Sequence, residues 1–216
     1  RSLMNEFLDL IIGFIEGVPT EIRILITGLA IMLETSVLIG LLVPGDTVVL
    51  FSSTGISNWQ EVFLTIAVVV LGALVGSSFG FWIGNLFGPR LRAGWLGEKI
   101  GAERWSLADN FVRSRGGIAV FVSRFLPVLH SIVPLTAGMS VMRYRTFLAW
   151  ISPASLLWAI LYVSIGFGAA DTYRNLKDTL DQAGWVFIGI ISISLGIIFL
   201  VKKALTSLTR TRSKGG

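Results

Sequence analysis

The chain has 216 residues, 53% of them hydrophobic and only 14% charged, with a net charge of +5 and no cysteine. A soluble domain usually carries about a quarter charged residues, so this composition excludes an ordinary water-soluble protein and points to one integral membrane domain. Disulfides and thiolate metal sites are excluded with the cysteines.

The first segment, residues 3–18 (LMNEFLDLIIGFIEGV), holds Glu6, Asp9 and Glu16 and has only Arg1 before it. That is unlike a secretory signal. Phe7, Leu10, Ile11, Phe14 and Ile15 share one helical face, which predicts an amphipathic helix over 1–18 lying at the membrane surface. Next comes 24–56, apolar and long enough to enter lipid, but interrupted by Glu34 and by Pro44, Gly45 and Asp46. Proline removes a backbone donor and clashes with the preceding turn. Broken backbone at membrane depth survives only inside protein or beside a wet cavity, so the segment is expected to be a re-entrant helical hairpin with its tip at Pro44-Gly45. Asp46 is placed to cap the outgoing helix.

Residues 60–88 form the first uninterrupted span. Gly72, Gly76, Gly80, Gly84 and Gly88 recur on one face. This spacing predicts close helix packing, either internal or in a homodimer. The connector 89–116 is basic and carries Trp95 and Trp105, as expected of a segment on the anionic cytoplasmic leaflet. Residues 117–140 repeat the pattern of the first broken segment: Arg124, Pro127, His130, Pro134 and Gly138 interrupt an apolar run. A second hairpin is expected there, with the prolines freeing helix N-termini. Spans at 147–170 and 184–203 follow, and 207–216 is a basic tail. Tryptophans are expected as interfacial anchors.

Basic residues fix the orientation. The connector, Arg143, Arg145 and the tail lie on the cytoplasmic side, and the acidic 171–182 loop lies outside. The expected fold is therefore an all-α membrane domain over 1–206, with two oppositely oriented re-entrant hairpins each followed by spans. Paired broken segments in corresponding places are the mark of an inverted-repeat transporter with its site near the midplane.

Four residues carry the chemistry. Glu34 is an ionisable group inside an apolar run, where such groups face the protein interior or a water-filled path. Asp46 lies twelve positions later across the same break. Arg124 keeps its charge and has a fork matched to phosphate or carboxylate; a salt bridge to Glu34 or Asp46 is the structural alternative. His130, the single histidine, has an ordinary titration point near pH ~6.5. One histidine without cysteine does not make a usual metal set, and no cofactor is expected. Positive-inside bias accounts for the basic connector without nucleic acid.

Together, Glu34 with the Asp46 of PGD, G-G-x-x-x-F-x-x-R-F-x-P at 116–127, A-G-M at 137–139 and M-x-x-x-x-F at 142–147 resemble the DedA family. These are bacterial membrane proteins related to eukaryotic VTT-domain lipid scramblases. The resemblance covers residues 20–205. It implies two opposed re-entrant hairpins, residence in the bacterial cytoplasmic membrane, and recycling of undecaprenyl phosphate, the cell-wall carrier lipid. Other members are linked to phospholipid handling and to proton-dependent stress and drug tolerance. Glu34 and Asp46 match the family's functional acidic pair, and Arg124 matches its first functional arginine. The second arginine of R-F-x-P-x-x-R falls at position 130, which is histidine here. Weaker phosphate binding, pH-gated binding and a different substrate are all open at this point. The leading expectation is a flippase for a polyprenyl phosphate, with Arg124 and His130 on the phosphate and Glu34 and Asp46 coupling protons. The alternatives are a proton-coupled exporter of small cations or drugs and a general phospholipid scramblase. A lipid phosphatase and a non-transporting scaffold stand further off, and no enzymatic activity is expected.

Overall fold

The computed structural model describes residues 10, 12–15, 17–36, 45–126, 129–176, 189–194 and 196. Pro44, Pro127, residues 1–9, most of the expected span 184–203 and the basic tail lie outside the described residues. Those described are helical, with no strand among them. Of the expected amphipathic helix, residues 12–15 are helical, with Ile12 buried and Leu10 and Phe14 exposed.

Helix α1 (Thr20–Thr35) follows Pro19 and stops at Ser36, whose backbone turns extended. Helix α2 (Gly45–Thr54) resumes beyond the break. Helix α3 (Trp59–Ala93) starts at a reciprocal cap: the Glu61 N–H donates to Asn58 Oδ1 at 3.0 Å, and Asn58 Nδ2 donates to Glu61 Oε1 at 2.9 Å. Helices α4 (Trp95–Ile100) and α5 (Ala102–Arg115) occupy most of the connector 89–116. Their ends are set by Gly101 (φ 84) and Gly116 (φ 54), conformations that side chains disfavour. Helix α6 (Gly117–Ser123), α7 (Leu129–Met139) and the long α8 (Tyr144–Leu176) follow, and residues 189–194 are also helical.

Among the described residues, two helices, α3 and α8, are long and apolar enough to cross a membrane. At ~1.5 Å per residue α3 is about 52 Å long, so its last turns, with Arg90 and Arg92, extend past a ~30 Å hydrocarbon core. Phe63, Leu71, Val75, Phe79, Trp82 and Leu86 point outward from α3, as side chains facing lipid do.

Each broken segment sends one arm onto each long helix: α1 and α7 pack on α3, and α6 and α2 pack on α8. The first pair of arms forms an antiparallel hairpin. Glu34 meets Asp46 at one end, the Thr27 and Ser52 hydroxyls bond at 2.6 Å midway, and Arg23 lies against Gly55 at the other end.

Close approaches give the register along the long helices. On α3, Gly72 lies against the Gly28 carbonyl, Gly76 against Met32 and Thr35, Gly84 against the Leu135 carbonyl and Gly88 against Met139. Contact positions rise together, so α1 and α7 lie end to end along one face of α3, both parallel to it. Any β-carbon on these glycines would strike the arm. At Gly72, Gly76, Gly84 and Gly88 the stripe that predicts close packing is therefore used inside the molecule. On α8, Gly117 meets Trp150, Arg124 meets Trp158, and Leu50 and Ser53 meet Gly166. There α6 and α2 lie end to end in the same way.

Three expectations are corrected. Pro134 does not break α7; it lies within the helix, where its only effect on the ladder is that it cannot donate to the carbonyl four residues before. Gly138 is not a break either: it lets α7 approach the Phe81 carbonyl on α3. Trp105 is no interfacial anchor. It is 1% exposed, in a core with Phe81, Val120, Leu135 and Phe147, because α5 turns one face onto α7. Trp158 is likewise buried, whereas Trp59 and Trp150 remain exposed.

Candidate functional site

The end-to-end arrangement brings four half-helix ends to the middle of the molecule. Glu34 is in the last turn of α1 and His130 in the first turn of α7, both against α3. Arg124 is the C-cap of α6 and Asp46 stands in the first turn of α2, both against α8. The four residues singled out in the sequence are thus the inner ends of the four arms. Two of the ends suit their helices, a cation at the C-terminus of α6 and a carboxylate at the N-terminus of α2, whereas Glu34 at the C-terminus of α1 stands against the macrodipole.

Glu34 is 6% exposed. Its Oε2 accepts the Asp46 N–H at 2.9 Å, so the carboxylate of one arm caps the first turn of the next. Asp46 is itself not the cap that the sequence suggests, since α2 already begins at Gly45. Gly45 is required for this closure: a β-carbon there would stand 2.6 Å from Glu34 Oε2. The second hairpin reaches the same residue. Ser131 Oγ donates to the Glu34 carbonyl at 3.3 Å, and His130 Nε2 lies 3.7 Å from Glu34 Oε1. The other ring nitrogen, Nδ1, is 3.2 Å from the Leu126 carbonyl. A carbonyl only accepts, so Nδ1 carries hydrogen and Nε2 is the nitrogen turned to the carboxylate.

Arg124 is 3% exposed. Its guanidinium carbon sits 4.4 Å from the centroid of Trp158, and Asp46, Glu34 and Tyr162 act on it electrostatically. Nε and Nη2 have no hydrogen-bond partner among the described residues. These two nitrogens form the side edge of the guanidinium, the fork that takes two oxygens of one oxyanion.

A family profile described as the VTT domain matches residues 43–168, more than half the chain. The chain belongs to the VTT-domain, or DedA, family. It is 25% identical over 179 residues to Protein DedA of Escherichia coli strain K12, covering 81% of this chain and 80% of that protein. It is 22% identical over 185 residues to undecaprenyl phosphate transporter A of Bacillus subtilis strain 168, covering 83% and 93%. An alkaline phosphatase-like protein of Lactococcus lactis subsp. cremoris is 27% identical over 173 residues, covering 74% and 79%. No solved structure matches.

In this DedA-family membrane protein two features escaped sequence reasoning. Arg23, buried at the base of the first hairpin, pairs with Glu61 at 2.7 Å. The Asn58-x-x-Glu61 capping pattern before an apolar run was the available signal for Glu61. Trp158 and Tyr162 line the Arg124 end of the site, stacked at 4.1 Å. An aromatic pair at i and i+4 in an apolar helix looks the same from sequence whether it faces lipid or a site.

Proposed function

We propose that this chain carries the phosphate headgroup of a polyprenyl lipid across the membrane between its two hairpins. The observation that carries the reading is the Arg124 edge: a buried, permanently charged fork with both nitrogens open, at the meeting point of four broken helices. Two buried guanidinium N–H groups without a hydrogen-bond partner among the described residues are costly, and a lipid phosphate is the anion that a membrane supplies. The undecaprenyl phosphate named for the Bacillus subtilis relative has this chemistry.

The hairpins are re-entrant, entering from opposite faces of the bacterial cytoplasmic membrane, with the C-terminus inside. The exchange of arms between α3 and α8 supports an inverted repeat, in which each first arm packs on the span that follows it and each second arm on the other span. Rocking of one repeat against the other would expose the site alternately to each side. His130 and Glu34 act as one proton site. With Nδ1–H committed to Leu126, a neutral imidazole would turn a lone pair to the carboxylate, so a proton between Nε2 and Oε1 stabilises the contact. Asp46, Arg124 and Tyr162 are the other titratable or charged groups facing it. Gain of that proton makes the site more positive and strengthens anion binding; its loss favours release.

The test is translocation of polyprenyl phosphate by the full chain in liposomes at pH 6 and pH 8, with inorganic phosphate flux as a second arm. The wild type moves the lipid, with tighter half-saturation at pH 6, and does not move inorganic phosphate. His130→Arg flattens the pH difference. A folded wild type that moves no polyprenyl phosphate at either pH overturns the reading; movement of inorganic phosphate alone reassigns the cargo.

A further inference from the structure

Arg124 is held in an unusual way for a charge at this depth. Buried arginines are ordinarily fixed by carboxylates, and two carboxylates are in the site. Yet Glu34 is engaged by the Asp46 N–H and stands beside His130, and the Arg124 Nε and Nη2 are bonded to neither acid. What the guanidinium does touch is the face of Trp158, 4.4 Å from its carbon to the ring centroid. Trp158 is in turn stacked on Tyr162, with centroids 4.1 Å apart and planes 24° from parallel. Both aromatic residues are buried, one turn apart on α8. The three groups make a column: cation, indole, phenol.

We propose that Trp158, backed by Tyr162, is the positioning residue of the phosphate site, holding Arg124 charged and oriented while leaving its fork open. The proposal rests on the phosphate reading of Arg124 and adds the group that makes it workable. An indole face attracts a desolvated guanidinium through its quadrupole, which offsets part of the cost of burial. It does so without accepting a hydrogen bond from Nε or Nη2, which have no partner among the described residues. A carboxylate partner would occupy those same N–H groups and compete with the ligand. The aromatic face therefore adds to the field of Asp46 and Glu34 a direct contact that stabilises the charge without blocking the fork. Without the indole face, Arg124 would fold toward Asp46 or Glu34, and the phosphate would have to displace a carboxylate. Tyr162 acts one step further away by fixing the tilt of the indole.

The experiment uses the full chain in nanodiscs with farnesyl phosphate as the probe, read by binding and by tryptophan emission. Trp158→Leu is expected to weaken binding at least about tenfold and Trp158→Phe about threefold, since a phenyl face is the weaker cation partner; Tyr162→Leu falls between them. The loss appears in half-saturation more than in maximal translocation rate. In an Arg124→Ala background Trp158→Leu has no further effect, the non-additivity expected when one residue acts through another. Binding by folded Trp158→Leu within twofold of the wild type, or effects that add in the Arg124→Ala background, overturns the proposal. The column also has a signature without ligand. Wild-type minus Trp158→Phe emission isolates Trp158, and Arg124→Ala must shift it. If the wild type binds no farnesyl phosphate, the transport reading has failed separately. The shift then decides the column: absent, it removes the column too; present, it keeps the column as the device that holds Arg124.

Discussion

Arg23, at the base of the first hairpin, and Arg124, at the C-cap of α6, are buried almost equally, 6% and 3% exposed. Arg23 donates to Glu61 at 2.7 Å, and Glu61 is tied in turn to Asn58 and to the Ser57 N–H. The charge is neutralised inside a capping network that fastens α1 to the start of α3. Arg124 lies on an aromatic face with its side fork open. The same residue type at the same burial thus has two chemical fates. Where both charges are paired, the arginine joins helices. Where its fork is left open at the junction of four helix ends, it is ready for an anion. Burial alone would have ranked the two sites together; the hydrogen-bond inventory separates them.

The largest effects should come from truncating each arginine, with opposite readouts. Arg124→Ala is expected to lower lipid-phosphate translocation by at least about thirtyfold, since losing a buried charge–charge contact costs ~2–5 kcal/mol. Its thermal unfolding in detergent should not fall, because the variant also removes a costly buried cation. Arg23→Ala should do the reverse. It leaves Glu61 without its partner in a partly buried network, a loss of about 3 kcal/mol, seen as a lower unfolding midpoint. The properly folded fraction should keep translocation within a few-fold. A transport-dead but stable Arg23→Ala, or an unstable Arg124→Ala, would break the distinction.

A smaller effect tests the rail beneath both hairpins. Gly84→Ala would press a methyl group onto the Leu135 carbonyl, displacing α7 from α3. Overpacking of this kind costs ~1–3 kcal/mol. Because α7 carries His130, half-saturation for lipid phosphate should also rise. Gly168→Ala has open space around the new methyl and should leave both stability and transport unchanged. Equal behaviour of the two variants would mean that the glycine stripe is not what seats α7.

The members of the central cluster were legible in the sequence because membrane apolarity makes charge conspicuous: Glu34, Asp46, Arg124 and His130 each interrupt a run where charge is costly. The glycine stripe was legible through its period. The helical breaks were legible, but their cause was misread at Pro134 and Gly138, because a proline that removes one bond from a well-packed helix need not end it. Trp158 and Tyr162 were invisible for the opposite reason to Arg124. They sit among side chains of the same polarity, and only the fold shows which apolar face meets a cation. The end-to-end register of the arms was also beyond sequence, since it depends on which glycine meets which carbonyl.

The smallest predicted effect lies outside the site, where a third arginine completes the comparison. Arg92 pairs with Asp109 at 2.8 Å and lies 5.8 Å from the Trp105 centroid. Its contacts combine those of the other two: a carboxylate as at Arg23 and an indole as at Arg124. The difference is solvent, for its side chain is 44% exposed and that of Asp109 29%. Screening reduces such a pair to ~0–1 kcal/mol. Arg92→Ala should therefore move the unfolding midpoint by only a degree or two and leave half-saturation unchanged, with the residual stability difference shrinking further in high salt. A salt-independent loss comparable to that of Arg23→Ala would show that α5 depends on this contact for its place over α7. Without such a loss, identical partners count for little once water reaches them, and the roles of Arg23 and Arg124 follow from burial and bonding together.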